Sequence, residues 1–246
     1  MKAMVFAAGL GTRLRPLTDT MPKALVPVAG KPLLYHVMNK LRRAGYDEFI
    51  VNVHHFPEQI REYLASTDFK VQISDESEDL LETGGGILHA EKLILPCQEP
   101  FLVHNVDIVS NLDLAWLQEK TRPEALATLV VSDRPTSRYL LFDDDLRLVG
   151  WTDTSTGEVR SPHPGLDPSK YRKLAFAGIH NLSPHIFDCM RAHGFSGRFP
   201  IMDFYLKVCA SEPIYGATPE NLQLVDAGKL ESLAPAEEII KNYLYI

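Results

Sequence analysis

The run MVFAAGLGTRLRPLTDTMPKALVPVAGKPLL, residues 4–34, starts as a short apolar strand, breaks at a glycine-rich turn carrying Arg13, and passes a further cation, Lys23, just after Pro22. A strand that ends in Gly-x-Gly-Thr-Arg points successive backbone N–H groups out of the carboxyl edge of a sheet, where a polyphosphate can be cradled. Glycines at positions 9 and 11 let the backbone approach such a ligand closely. Arg13 and Lys23 add a guanidinium fork and a point charge, a common pairing against phosphate oxygens. The bland alternative is an ordinary strand-to-helix turn flanked by two solvated cations. The turn is neither a P-loop, because no Gly-Lys-Ser/Thr follows, nor a dinucleotide fingerprint, because the third glycine is missing.

Outward from this turn the pattern alternates. Residues 2–8 read as a strand, and 31–45 as a helix whose apolar side is Leu33, Leu34, Val37, Met38 and Leu41 and whose stop is Gly45. Strands are predicted at 48–54, 70–74 and 101–105, with helices at about 57–64 and 87–93 between them. Such alternation predicts a parallel sheet covered on both faces. Further on come a helix at about 113–120, a β-branched strand at 127–132 and a hairpin of 139–143 with 146–150 around Asp144-Asp145. The polar, turn-rich region 153–170 reads as a surface excursion, because ordered segments resume at 174–181, 184–192 and 201–211. One domain spanning residues 1–246 is expected.

With 25 Lys plus Arg against 32 Asp plus Glu the net charge is −7, which disfavours sequence-independent binding to nucleic acid. Phosphate must therefore be met by local cations. Cys97, Cys189 and Cys209 are widely spaced and form no CxxC, so neither a disulfide framework nor a zinc site is indicated. No signal-peptide core or membrane-spanning run is visible, and a cytoplasmic, membrane-free setting is expected.

Three further segments carry chemistry. LLETGGGI, residues 80–87, has three consecutive glycines that helix propensity does not explain; they imply a positive φ or close approach to a flat ligand such as a base. Glu82 and Thr83 are placed there to hydrogen-bond such a ligand or to cap the helix. FLVHNVDIVSNLD, residues 101–113, sets Asp107 just past a buried strand, and LQLVDAGKLESL, residues 222–233, sets Asp226 at the end of another, before Gly228. Two carboxylates at two strand ends suit Mg²⁺ held against phosphate oxygens; singly, each is as readily a turn former or cap. The histidines, among them His54, His55, His104 and His180, are read as packing or hydrogen-bonding residues.

Taken in order, GLGTRLRPLTDTMPKALVPVAGKPLL, ETGGG, NVD and VDAG resemble the sugar-1-phosphate nucleotidyltransferase family, and look closest to its N-acetylmuramate-1-phosphate uridylyltransferase branch. The resemblance is strong over residues 2–107 and looser over 174–233. It implies an α/β, Rossmann-like, GT-A-like three-layer sandwich with a mixed, mostly parallel sheet. It also implies transfer of a nucleotidyl group from a nucleoside triphosphate to a sugar 1-phosphate with Mg²⁺, releasing pyrophosphate, with UTP favoured.

Carried over by position, Ala8, Gly9, Gly11, Thr12 and Arg13 would wrap the triphosphate, with Lys23 on its charge. Glu82, Thr83, Gly84, Gly85 and Asn105 would serve the nucleoside, Ala177 and Gly178 the sugar, and Asp107 with Asp226 the metal. Arg13, Lys23 and Asp107 are the implied catalytic set. Val106 departs from the usual Asn-Gly-Asp by putting a Cβ where the backbone passes the nucleotide. No Glu-x-Lys clamp for the sugar phosphate is visible; Arg138, Lys170 and Arg172 are the candidates, and Asp203 is either a helix cap or a sugar ligand. The alternatives are a GTP-dependent mannose- or heptose-1-phosphate guanylyltransferase and, in another class, a non-catalytic nucleotide-sugar-binding subunit. Retention of all four charged residues argues against the last. The apolar C-terminal NYLYI would pack on its own sheet or on a second copy in a homo-oligomer.

Overall fold

The computed structural model describes residues 1–95 and 99–244; Cys97 and the end of the NYLYI run lie outside the described residues. Four parallel strands stand side by side in the order Val71–Asp75, Glu48–Val53, Lys2–Phe6 and Phe101–Asn105. Next comes Arg172–Leu182, antiparallel to Phe101–Asn105, then Ala127–Ser132 antiparallel to it, and Ile214–Ala217 parallel to Ala127–Ser132. The central sheet is thus mixed and mostly parallel.

Along Lys2–Phe6, Ala3 and Val5 face one core with Val51, Val53 and Leu102, while Met4 faces the other with Ile50 and Val103. Strands apolar on both faces need cover on both, and helices supply it. The first core is closed by Leu33–Arg43, whose Leu33, Leu34, Val37, Met38 and Leu41 are buried. Each such side chain contributes roughly 2 kcal/mol on burial. That helix ends where Gly45, at φ 88°, lets the Tyr46 N–H reach back to the Leu41 carbonyl. Ile186–Ala192 and Ile201–Val208 close the second core. The result is the three-layer arrangement expected.

Arg172–Leu182 pairs with Phe101–Asn105 only through Ile179–Leu182. Its earlier residues run past the carboxyl edge of the parallel strands and carry Arg138–Phe142, Leu148–Asp153 and Glu158–Arg160 as an antiparallel flap. The polar region 153–170 therefore holds an exposed edge strand as well as turns, a finding its turn-rich composition concealed. None of the described helices is long and apolar enough to cross a membrane.

Two buried histidines sit in the sheet as structural groups. His104 bonds the Asn105 carbonyl and His180 bonds the Tyr205 hydroxyl at 2.6 Å. Burial above all holds both down to about 3, with the nearby Lys40 charge adding to the effect on His104. The unfolded chain protonates its histidines near 6.5, so between 6.5 and about 3 it binds more protons than the folded chain. Stability therefore falls as pH drops through that window. His104→Gln is expected to flatten the fall, read as the change in thermal midpoint between about pH 7 and about pH 5. An unchanged slope would remove His104 as a cause.

Candidate active site

The glycine-rich turn leaves the sheet after Phe6. The Ala7 and Ala8 amides are both taken by the Asn52 side-chain oxygen, at 2.7 and 3.3 Å, which fixes how the turn departs. Gly9, Leu10 and Gly11 come next, and their N–H groups donate to nothing among the described residues. Gly11, at φ 63°, reverses the chain into the short turn Thr12–Leu14, and the Thr18 hydroxyl pins its carbonyl at 2.8 Å. Thr12 and Arg13 are left exposed. Lys23 returns over the turn: a Cβ placed on Gly9 would lie 3.6 Å from its Cε and Nζ. Unspent amides and a cation thus share one spot, as a polyanion requires.

Asp107 lies in the turn between Phe101–Asn105 and the short strand Ile108–Ser110, which pairs antiparallel with Leu224–Asp226. The register sets Asp226 opposite Ile108, and the Ala227 N–H donates to the Asp107 carbonyl at 2.8 Å. Behind this ribbon Lys40 donates to the Ser110 carbonyl and hydroxyl, at 2.7 and 3.1 Å. Burial lowers Lys40 to about 7, opposed by the Asp113 charge.

The charged groups meet in front of Gly228. A Cβ there would stand 2.7 Å from Asp226 Oδ1, 3.1 Å from Arg13 Nη2 and 3.1 Å from Asp107 Oδ2. Lys23 Nζ lies 2.6 Å from Asp107 Oδ2, with the two side chains 15% and 11% exposed. Arg13 reaches Asp226 Oδ2 at 3.5 Å in a more open pair. Four residues drawn from three separate stretches of the sequence therefore converge, and an adjoining cleft of about 400 Å³ is lined by Ala8, Gly9, Lys23, Asn105 and Asp107 at one end. A larger cleft of about 620 Å³, around Trp116 and Tyr215, holds none of the expected site residues.

The other end of the cleft includes Glu76, Leu80, Glu82 and Thr83, with Pro200 also on the wall. Here the glycine triplet departs from expectation. Gly84, Gly85 and Gly86 lie inside a helix, Glu82–His89, and none has a positive φ; Glu82 does, at 61°. Gly84 and Gly85 donate their N–H groups to the Phe199 carbonyl, at 2.9 and 3.1 Å, and neither lines the cleft. A Cβ on Gly84 would collide with the Phe199 ring, and one on Gly85 with the Gly197 carbonyl. The close approach is to the protein's own 197–199 segment, not to a flat ligand. Glu82 pairs with Arg198 at 2.8 Å and the Thr83 hydroxyl accepts from the Ile201 N–H at the start of Ile201–Val208, so neither caps its own helix, Glu82–His89.

Val106 is buried in the core and points away from the cleft, so its Cβ does not stand in a ligand's way. Gly178, at φ 72°, lies against Asn105: a Cβ there would be 2.8 Å from Asn105 Nδ2. Ala177 beside it is buried in the core. Asp203 pairs with Arg160 at 2.6 Å and does not cap its helix. Arg138 is paired with Asp153, which leaves it less free than the sequence implied.

Asn52 and Glu76 are the polar cleft residues that sequence reasoning missed; the apolar Phe6, Leu80 and Pro200 also line the wall. Asn52 Nδ2 donates to Glu76 Oε1 at 2.8 Å, while Glu76 Oε2 takes the Leu81 N–H at 3.3 Å, so the pair ties the glycine turn to the opposite wall. Burial raises the Glu76 carboxyl, partly offset by these bonds. A polar residue interrupting the apolar run FIVNV of strand Glu48–Val53, at the edge where the glycine turn emerges, was the available signal.

The Nucleotidyl transferase family model matches residues 2–145. An N-acetylmuramate alpha-1-phosphate uridylyltransferase of Caulobacter vibrioides is 34% identical over 229 residues, covering 89% of each chain. Mannose-1-phosphate guanylyltransferase 1 of Arabidopsis thaliana is 37% identical over 76% of this chain, which spans 51% of that protein. Among solved structures, HddC from Yersinia pseudotuberculosis superposes with a TM-score of 0.76 at 22% identity, covering 96% of this chain and 98% of that one. A putative glucose-1-phosphate thymidylyltransferase from Bacillus anthracis gives 0.78 at 18% identity, with 98% and 96% covered. The two structures share the fold.

Proposed function

Because the chain belongs to the nucleotidyl transferase family and is a sugar-1-phosphate nucleotidyltransferase, we propose that it transfers uridylyl from UTP to an N-acetylmuramate- or N-acetylhexosamine-type sugar 1-phosphate. The observation that carries this reading is the meeting of Arg13, Asp107 and Asp226 in front of Gly228, with Lys23 on Asp107. The choice of UTP and of this sugar class rests on the uridylyltransferase relatives, which match over most of their length.

The reaction brings two polyanions together, so charge neutralisation and alignment supply most of the rate. A sugar-phosphate oxygen attacks the α-phosphorus, and the bond to the β-phosphate oxygen breaks as pyrophosphate leaves. The attacking oxygen is already anionic near neutral pH, so no side chain must remove a proton. The unspent amides of Gly9–Gly11 cradle the triphosphate, Arg13 and Lys23 neutralise its growing charge, and Asn105 with Gly178 borders the acceptor end.

Among the described residues no three metal-ligating side chains cluster. Two converging carboxylates remain, and an all-oxygen pair of this kind suits Mg²⁺, which is commonly held by one or two carboxylates plus substrate phosphates. Asp107 and Asp226 would hold it, and the ion would supply charge stabilisation on the phosphate oxygens.

The test is pyrophosphate release from UTP, GTP, CTP, ATP and dTTP against a panel of sugar 1-phosphates with Mg²⁺. UTP with N-acetylmuramate 1-phosphate is expected to be fastest. A faster reaction of GTP with mannose 1-phosphate would favour the guanylyl reading, which the Arabidopsis relative supports. A blank panel would overturn both.

A further inference from the structure

The two carboxylates of the site stand on different footings. Asp107 follows Phe101–Asn105 almost directly, and the Val106 N–H beside it donates to the Phe6 carbonyl, at 3.2 Å, at the root of the glycine turn. Asp226 arrives by another route. It belongs to the ribbon of Leu224–Asp226 with Ile108–Ser110, a separate two-stranded sheet of three residues a side, and all three residues of its own strand are half-buried. A ribbon of two such strands is marginal by itself, so its position must be set by what it is tied to. Lys40 supplies such a tie. It rises from Leu33–Arg43, the helix that closes the first core, and donates to both the carbonyl and the hydroxyl of the buried Ser110, at 2.7 and 3.1 Å. Ser110 stands opposite Leu224 and Ile108 opposite Asp226, so the tie and the carboxylate are two residues, roughly 7 Å, apart along one ribbon. A tilt at Ser110 is carried to Asp226, whereas Asp107 is held by its own strand.

From this geometry we propose that Lys40 is a positioning residue for the transfer reaction: its ammonium pins the far end of the ribbon to the helix and so keeps Asp226 in line with Asp107 and Arg13. The inference rests on the reading of the site given above. An ammonium suits the task, because it donates to two buried acceptors at once and such charge-assisted bonds are about twice as strong as neutral ones. Few charges bear on it. Asp113, which caps Leu114–Lys120, attracts it. His104 of Phe101–Asn105, held down to about 3, is uncharged near neutral pH, and Lys241 of the C-terminal helical turn packed on the same helix is paired with Glu237. On its own helix Arg42 is turned to Asp68. Lys40 loses its proton at about 7, and the amine left behind holds Ser110 more weakly. An unfolded lysine titrates near 10.5, so between about 7 and 10.5 the unfolded chain binds the additional proton and stability rises with pH. Positioning by the ammonium gives turnover the opposite slope, a fall as pH rises through about 7. A lysine that served the fold alone would leave turnover following stability.

The experiment compares Lys40→Met, Lys40→Arg and Ser110→Ala with the parent protein. It reads kcat and KM, for the triphosphate turned over fastest, from about pH 6.5 to about pH 9, together with the thermal midpoint over the same range. Hydrogen exchange is read at the Ala227 and Asn111 amides, whose bonds to the Asp107 and Gln223 carbonyls span the ribbon. Lys40→Met is expected to lower kcat about 10-fold or more with KM changed about 2-fold or less, to lose the fall above about pH 7, and to exchange faster at both amides. Lys40→Arg carries a charge that does not titrate in this range, so it should hold kcat within about 3-fold of the parent and also lose the fall. Ser110→Ala removes one of the two acceptors; it should lower kcat about 2- to 3-fold, and it carries the test if Lys40→Met does not fold. A folded Lys40→Met with the parent's kcat, or with the fall above about pH 7 intact, would overturn the proposal. So would equal losses of kcat in Lys40→Met and Lys40→Arg that track the thermal midpoint, which would make Lys40 a folding residue. Faster exchange in Lys40→Met, with no turnover of any substrate by the parent, would leave the anchor standing and sink the transferase reading; turnover by the parent with exchange and kcat unchanged in Lys40→Met would do the reverse.

Discussion

Asp107→Asn is expected to lower kcat by roughly 10³-fold or more while leaving the thermal midpoint within a few degrees of the parent protein. The amide keeps the shape of the side chain and can still accept from Lys23, so the turn after Phe101–Asn105 loses no packing. What it loses is the negative charge at the point where Arg13, Asp226 and the cleft meet. Without that charge a divalent cation would be held by one carboxylate, and the Lys23 ammonium has no anionic partner in a largely buried position. Both changes bear on the charge balance that brings two phosphate esters together. Loss of kcat with a preserved fold is the signature of a group used in the transition state. Equal loss of activity and stability would instead make Asp107 a folding residue, and near-normal Mg²⁺-dependent pyrophosphate release would take it out of the site.

The parts of the site that were legible in the sequence are those whose chemistry is local. Gly-x-Gly-Thr-Arg announces itself because glycine, arginine and a preceding apolar strand lie within one short run, and Asp107 and Asp226 because each follows a strand. The nearness of the glycine turn to Asp107 also follows from topology, since Lys2–Phe6 and Phe101–Asn105 are parallel and their carboxyl ends share one edge, whereas Asp226 arrives through the antiparallel ribbon of Leu224–Asp226 with Ile108–Ser110. The glycine triplet was legible as unusual but not in its cause. Its partner is Phe199, more than a hundred residues away, and no local pattern distinguishes a base from a phenylalanine ring as the thing that excludes a Cβ. Asn52 and Glu76 were invisible for a related reason. Each is one polar residue near a strand end, and its meaning comes from the other, which reaches it only after the intervening helix Pro57–Ala65 has brought the next strand alongside. Val106 shows the opposite error: the backbone before Asp107 directs that side chain into the core, so a departure from the family pattern carries less consequence than its position suggested.

Gly228→Ala is expected to cost about 10²-fold in kcat/KM without removing a charge or a hydrogen-bonding group from the site. Gly228 has no positive φ, so alanine is not barred by backbone conformation; the barrier is the space in front of it. The added methyl would sit 2.7 Å from Asp226 Oδ1, a distance that carbon and oxygen do not tolerate, and 3.1 Å from Arg13 Nη2 and Asp107 Oδ2. The Asp226 carboxylate must swing away, and the bond it accepts from the Gly228 N–H weakens as it does. Because Arg13 is a flexible, half-exposed side chain it can follow, whereas Asp107 is held by Lys23 and by the Ala227 amide that grips its carbonyl. The two carboxylates are therefore driven apart, and a misplacement on the order of 1 Å is enough for a loss of this size where catalysis depends on alignment. The distinguishing measurement is metal affinity in the presence of nucleotide, which should weaken together with kcat/KM. If Gly228→Ala keeps full activity, the carboxylates do not act from the positions they occupy here, and the shared point in front of Gly228 is not where the phosphates meet.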